Sequence, residues 1–533
     1  MRSINKKFWV ILFQMVLILL LSKIKKLDYS LKIWVTFVSF WFVSFNRLLA
    51  VIIVNFLKML LFLISLPLIG CFVLVFIDKT NIRFIRNFSL FWSLLILNVS
   101  FSLLFFFDPT STQFQFLDIN DWIRIININL ILGIDGLALI LIQLTALLIP
   151  VCIMLCWNKS LVNQAKEYSL AFFFLEFILF FVFSSLDLMV FYILFEAVLI
   201  PMYLIIGFYG SRERRIRSSY MLFLYTLISS IIMFIAILFI FFKYGTTDYL
   251  VLRNIQFDPF SEKLCWLAFF SSFAVKMPLV PFHIWLPEAH CEAPTSGSVI
   301  LAGILLKLGG FGFLRYSIGL FPDSSAYFTP FVFIISTLGI VYASITTIQQ
   351  VDLKKIIAYS SVGHMGVVTI GIFSSVSQSI LGSIFLMVSH GIVSGALFLC
   401  IGVLYERYHT RIIKYYSGLL TTMPLFAVFF TIFTMANIGL PGTSSFIGEY
   451  LIISGCFLMN SWGAFFSASG MVLGGCYSLW LLNRILFGNI KNFSIQEYKD
   501  LTRIEFYYLL PYAFLTIALG IFPEFIVSFI YIA

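Results

Sequence analysis

Long apolar runs separated by short polar breaks make up most of this chain. They fall at 58–77, 88–107, 130–157, 169–186, 188–209, 218–242, 264–287, 296–318, 327–348, 356–375, 379–404, 423–457, 462–488 and 506–530. A bilayer hydrocarbon core of about 30 Å is crossed by roughly 20 helical residues, so the pattern predicts an all-α polytopic membrane protein with about fourteen spans. The first 57 residues are harder to place. The stretch 8–22 is short for a span, and 33–56 is long enough but interrupted by Arg47. Two extra membrane helices and an interfacial amphipathic segment are both compatible with it.

The cations test the span count, because Lys and Arg are retained on one side of a membrane. One alternate set of loops collects seventeen of them, including Lys79, Arg212, Arg214, Arg217, Lys354, Arg407 and Arg411; the other set holds only Arg124, Lys243, Arg253, Lys263 and Arg315. A wrong count would scramble this asymmetry. The basic loops are therefore expected on the cytoplasmic or matrix face. Two extra N-terminal helices would keep the parity, adding Lys23, Lys25, Lys26 and Lys32 to the same side.

Composition narrows the class further. Apolar residues make up 61% and charged residues 11%, against about 25% charged in a soluble domain. Too few charges remain to cover a water-exposed surface, which excludes a soluble enzyme, a nucleic-acid binder and a secreted disulfide scaffold. In such a chain the net charge of +10 matters through its distribution between loops. The eight cysteines are scattered without a C-x-x-C pair, so iron–sulfur or zinc ligation is not expected. There is no P-loop, and Gly309, Gly310 and Gly312 lie inside an apolar span where they favour close helix packing over nucleotide binding. The start shows no cleavable signal with a small-residue exit, and the 64 Phe hint at an AT-rich organelle genome.

Two spans carry breakers in their middles. Pro278 and Pro281 in the seventh, and Pro441 in the twelfth, remove backbone donors, and Gly439 and Gly442 beside Pro441 loosen the helix, which leaves carbonyls free at membrane depth. A matched pair of broken spans points to repeated halves with a transport site at the break; kinks healed by neighbouring helices are the bland alternative.

Ionisable groups sit at the same depth. Glu196 is central in the fifth span, Lys276 beside the first break, Lys307 midway along the eighth, and Glu449 just past the second break; His283, His364 and His390 lie in the seventh, tenth and eleventh. Each charge costs about 2.5–3.5 kcal/mol at the membrane centre, so four left unpaired would cost roughly 10–14 kcal/mol, as much as a whole fold is worth. Pairing of Glu196 with Lys276, or proton exchange among these groups, relieves that cost, and a water-linked line of Lys, His and Glu would be a proton path along the midplane. The competing reading makes Glu196 a structural anchor, the histidines packing residues and the lysines snorkelling groups, although a midspan ammonium is far from either surface. Glu288, His290 and Glu292 read as hydrated loop groups, Asp187 as a turn residue and Asp135 as a span end.

The stretch KMPLVPFHIWLPEAHCEAP from Lys276 to Pro294, followed by TSGSVILAGILLKLGGFGFLR, resembles the antiporter-like membrane subunits of the proton-pumping NADH:quinone oxidoreductase, respiratory complex I. Within that family FEAVLIPMYLIIGFYG (195–210), DLKKIIAYSSVGHMG (352–366) and NIGLPGTSSFIGEY (437–450) are similar to the subunit 4 group, the M subunit of bacteria. The likeness runs from about residue 58 to the end. It implies two inverted five-helix repeats at 169–318 and 319–488, preceded by helices 1–3 at 58–168 and an N-terminal extension at 1–57, and followed by a C-terminal loop and helix at 489–533. It also implies roles: Glu196 and Lys276 as a charged pair, Lys307 as central carrier, His364 and His390 as links, and Glu449 as the terminal site, with His283 a further candidate by its depth. The Glu at that terminal position, where sister subunits usually carry Lys, favours subunit 4. The long start and Cys291 depart from the family pattern without touching this path.

The resemblance implies further that no cofactor is held here, with NADH, FMN, iron–sulfur clusters and ubiquinone in other subunits. Neighbouring antiporter-like subunits and lipids are the expected partners, and no nucleic acid. The expected location is the mitochondrial inner membrane, or a bacterial plasma membrane. Two other readings stand beside it: a subunit of a multi-subunit cation/proton antiporter, and an inert scaffold whose buried charges are only structural pairs.

Overall fold

The computed structural model describes residues 59–123, 128–157, 164–489 and 498–530. The extension 1–57 and its two readings lie outside the described residues. Twelve helices among the described residues are long and apolar enough to cross a membrane. They are α1 (Met59–Phe76), α2 (Ile82–Phe106), α3 (Gly136–Trp157), α4 (Ala165–Ser184), α5 (Leu188–Tyr209), α6 (Arg215–Tyr244), α9 (Thr295–Ile318), α10 (Pro322–Gln349), α11 (Leu353–Phe373), α12 (Ser377–Tyr408), α15 (Ser461–Leu486) and α16 (Arg503–Ile521). The seventh and twelfth apolar runs fold instead as broken pairs, α7 (Pro259–Lys276) with α8 (Trp285–Glu292), and α13 (Pro424–Ile438) with α14 (Ser444–Met459).

Two runs differ from a simple helix. The run expected at 130–157 begins as a strand: β2 (Ile128–Ile134) pairs antiparallel with β1 (Gln115–Ile123), and α3 starts only after Asp135, whose carboxylate accepts from the Ala138 N–H at 2.9 Å. The stretch INLILGI is rich in β-branched Ile and ends at an N-cap Asp, signals that apolarity alone hides. The eighth run, α9, carries two π turns, Leu301–Leu305 and Phe313–Ile318, on either side of Leu306–Gly312. Such turns loosen the backbone ladder and recur at functional positions.

Burial ranks the helices. The apolar window of α12 is 100% buried and that of α9 94%, against 39% for α6 and 33% for α15, so α9 and α12 form the centre and the latter two the periphery. The central pair crosses at two glycines: a Cβ on Gly391 would stand 2.9 Å from the Gly303 carbonyl oxygen. That close approach sets the depth at which the polar side chains of α9 and α12 meet.

Each break has its own local chemistry. At the first, Pro278 has no N–H, α7 closes through Met277 N–H to Phe273 O at 2.8 Å, and the Trp285 indole donates to the freed Val275 carbonyl at 3.0 Å. At the second, Gly439 has φ +81°; its N–H bonds Ala436 O and that of Leu440 bonds Met435 O, both at 3.1 Å, a Schellman termination that needs a left-handed residue.

A short backbone bridge recurs. Leu188 N–H bonds Thr247 O and Tyr249 N–H bonds Leu186 O, each at 2.9 Å; Leu353 N–H bonds Arg411 O at 2.9 Å and Ile413 N–H bonds Val351 O at 3.1 Å. In both places an Asp caps the next helix, Asp187 accepting from Met189 N–H at 2.8 Å and Asp352 from Lys354 N–H at 3.1 Å.

Candidate functional site

The close crossing of α9 and α12 brings Lys307 beside His390. Lys307 Nζ donates to the Ala302 carbonyl at 2.5 Å, an acceptor in the first π turn, and lies 2.9 Å from His390 Nδ1. Neither side chain reaches solvent. The donor in the Lys307–His390 contact depends on which nitrogen holds the proton, so the contact can carry one in either direction.

From His390 the polar line continues. The His390 and His364 ring centroids are 5.7 Å apart, and His364 Nδ1 lies 3.1 Å from Glu449 Oε1. The Schellman turn delivers Glu449: a Cβ on Gly439 would be 2.7 Å from Glu449 Oε2, so the glycine makes room for the carboxylate as well as for the turn. Around His364 and Glu449 lies a small cavity, bordered also by Tyr359, Ser360, Asn437 and Tyr477, in which water centres have about 20 Å³ to occupy. That is room for about one water among several polar groups.

Glu196 and Lys276 form a separate station. Pro201 cannot donate to the Ala197 carbonyl, and α5 loses regularity at Val198, just past Glu196. Lys276 ends α7, where the C-terminal dipole favours a cation. The two charges do not touch: Lys276 Nζ is 4.3 Å from the Phe195 ring centroid and 3.5 Å from the Phe195 carbonyl, while both Glu196 oxygens are buried without a hydrogen bond. Lys276 and Ser230 are the polar neighbours that act on the Glu196 carboxyl.

His283 is not brought into this line. It stands at the first break, edge-on to Tyr342 at 5.5 Å and Tyr359 at 6.2 Å, and reaches the cavity only through Tyr359. Glu288 fits its reading as a partly hydrated group, paired to Lys355 at 2.8 Å. His290 and Glu292 do not: both are buried, His290 stacked on Phe398 at 4.7 Å, because α8 turns this segment inward under α11 and α12. Asp187 and Asp135 are the helix caps expected of a turn and a span end.

Other polar groups escaped the sequence reading. Lys354, Arg411 and Arg315 count as loop cations by position, yet all three are buried. Lys354 Nζ donates to Ala293 O at 2.7 Å, and Arg411 donates to Ser211 Oγ at 2.7 Å, with Cys291 in turn 3.2 Å from Asp352 Oδ2. Glu176, at midspan in α4, is wholly buried with both oxygens unpartnered; its signal, a lone acid in the run FFFLEFILFF, is visible in the sequence.

The family described as "NADH:quinone oxidoreductase/Mrp antiporter, TM" matches residues 185–475, which contain all six line and station residues and His283. The NADH-ubiquinone oxidoreductase chain 4 of Chondrus crispus is 55% identical over 458 residues, covering 86% of this chain and 93% of the relative. The NADH-quinone oxidoreductase subunit M of Rhodobacter capsulatus is 46% identical over 445 residues, covering 81% and 86%. Respiratory complex I from Thermus thermophilus contains a chain of the same fold, with TM-score 0.80 and 27% identity over 89% of this chain and 98% of that one. A polytopic chain with an antiporter-like fold and relatives this similar along nearly their whole length belongs to the chain 4 family of NADH-ubiquinone oxidoreductase, the proton-pumping membrane-arm subunits of complex I.

Proposed function

We propose that this subunit moves protons laterally, from Lys307 through His390 and His364 to Glu449, with Glu196 and Lys276 setting the proton affinity of Lys307. The observation that carries the reading is the near-continuous contact from the Lys307 ammonium to the Glu449 carboxylate, at 2.9 Å, a 5.7 Å ring-to-ring step, and 3.1 Å. A charge change at Glu196 or Lys276 alters the field at Lys307 through a low-dielectric interior, where such fields are weakly screened. His283 joins through Tyr359 as a side branch to the cavity.

Nothing in this path uses an electron. Oxidation of NADH through FMN and iron–sulfur clusters, and reduction of ubiquinone, belong to other subunits, and the mitochondrial inner membrane is the setting. Neighbouring antiporter-like subunits and lipids cover the outer helices. The two Asp-capped bridges support reading 169–318 and 319–488 as inverted repeats: each opens the second helix of its half, and they lie on opposite faces.

The test is Lys307→Met in the reconstituted complex. The expected result is loss of NADH-driven proton transport at this subunit in an assembled complex; undiminished proton transport per electron would refute the role of Lys307.

A further inference from the structure

Lys307 faces two very different environments along its own helix. Toward the basic loops it meets polar groups: Ser298 Oγ donates to the His290 carbonyl at 3.2 Å and lies 3.4 Å from Lys354 Nζ, and both His290 ring nitrogens are buried without a partner. Toward the hairpin face, the next seven residues are Leu, Gly, Gly, Phe, Gly, Phe and Leu, with no polar side chain before Arg315.

The glycines there are filled by neighbours. A Cβ at Gly309 would lie 2.8 Å from Met277 Cβ, at Gly310 2.4 Å from the Met387 sulfur, and at Gly312 2.4 Å from the Phe273 ring, so apolar neighbours pack directly against the helix at all three positions. Phe311 packs edge-on to Phe183 at 5.3 Å and lies 6.3 Å from Phe191, which sits 4.3 Å from Tyr316. Below this aromatic layer the Arg315 guanidinium lies over Phe114 at 4.8 Å, Phe311 at 5.1 Å and Tyr249 at 5.9 Å, and pairs with Asp135 at 2.6 Å. The Arg315 side chain is 3% exposed and that of Asp135 22%, so the cation is the inner member of the pair.

A guanidinium does not give up its proton in a protein and has no lone pair to accept one, so it cannot act as a relay. Held about 12 Å from Lys307, eight residues along the helix, it also repels any proton moving toward the hairpin face. We propose that Arg315, fixed by Asp135 beneath the Phe183, Phe191 and Phe311 rings, is a positively charged seal. It closes the hairpin face to the proton on Lys307 and leaves His390 as its way out.

The inference rests on Lys307 being a proton carrier, and the test separates the two. Complex carrying Arg315→Gln is reconstituted into liposomes, a potassium diffusion potential is imposed without NADH, and proton influx is read with an entrapped pH dye. NADH oxidation with an artificial acceptor serves as the assembly control. The expected result is a passive leak at least tenfold above wild type that disappears in Arg315→Gln combined with Lys307→Met. Membranes as tight as wild type, or a leak that survives Lys307→Met, overturn the seal. Should Arg315→Gln fail to assemble, Phe114→Ser, on the part-exposed loop before the hairpin, opens the layer from outside. It is expected to leak in the same Lys307-dependent way, and a tight Phe114→Ser membrane overturns the seal equally. Normal pumping by Lys307→Met alone would instead remove the carrier reading on which the seal depends.

Discussion

The two broken helices solve the same backbone problem in opposite ways. At the first break the freed carbonyl of Val275 is taken by the Trp285 indole, the cation Lys276 rests on an aromatic ring, and Glu196 is buried without a hydrogen bond. At the second break a glycine turn opens beside a small cavity, and the His364 Nδ1 atom stands 3.1 Å from Glu449 Oε1. The first break holds Glu196 and Lys276 apart; the second brings an imidazole and a carboxylate together beside a small cavity. A buried charge with no partner responds strongly to any nearby charge because little screens it, whereas a carboxylate beside an imidazole has a group with which to exchange a proton. On the proposed function, the difference separates a control point from an outlet.

That contrast makes graded predictions. Glu196→Gln removes the counter-charge of Lys276 where nothing can replace it. Coupled ubiquinone reduction and pumping should fall by about tenfold or more, equivalent to at least ~1.4 kcal/mol, while NADH oxidation by an artificial acceptor stays normal. Glu449→Gln, with His364 and room for water beside it, should slow proton transport by roughly threefold, under ~1 kcal/mol. Equal losses in the two variants, measured in the same vesicles, would erase the distinction between the breaks.

Filling the cavity sharpens it. Gly363 lines the cavity and a Cβ there meets nothing within 4 Å, so Gly363→Leu adds bulk at the cavity wall from an unobstructed first atom. Proton transport should slow by about twofold, while the complex keeps or gains stability, since Gly in a helix interior is worse than other residues by up to about 1 kcal/mol. Unchanged transport in an assembled Gly363→Leu complex would show that the cavity is idle. At the first break, Trp285→Phe leaves the Val275 carbonyl unsatisfied and should lower stability by about 1–2 kcal/mol, read as an earlier thermal transition of the purified complex. The smallest effect is expected at the half-exposed Lys355–Glu288 pair, where Glu288→Gln should change stability by less than about 1 kcal/mol.

Much of this architecture was legible in the sequence because lipid imposes a simple rule on it. Span positions and both breaks follow from apolar run length and from proline or glycine at midspan. What escaped depends on tertiary packing. The β2 strand hides in an apolar run because a hairpin strand and a helix start can be equally hydrophobic. The π turns around Lys307 have no sequence mark of their own. Arg315, Lys354 and Arg411 look like loop cations until the neighbouring elements close over them, and α8 does the same to His290 and Glu292. The candidate residues were picked out by depth, but depth could not distinguish His390 and His364, which lie in the polar line, from His283, which stands beside it.

The central claim is that the proton on Lys307 ends at Glu449. Infrared difference spectroscopy of the complex during NADH-driven turnover tests it most directly, by following a carboxylic-acid band assigned through its loss in Glu449→Gln. The account predicts that this band is also lost in Lys307→Met and in His390→Leu, both fully assembled. A Glu449 band that rises and falls undiminished in those two variants would contradict it.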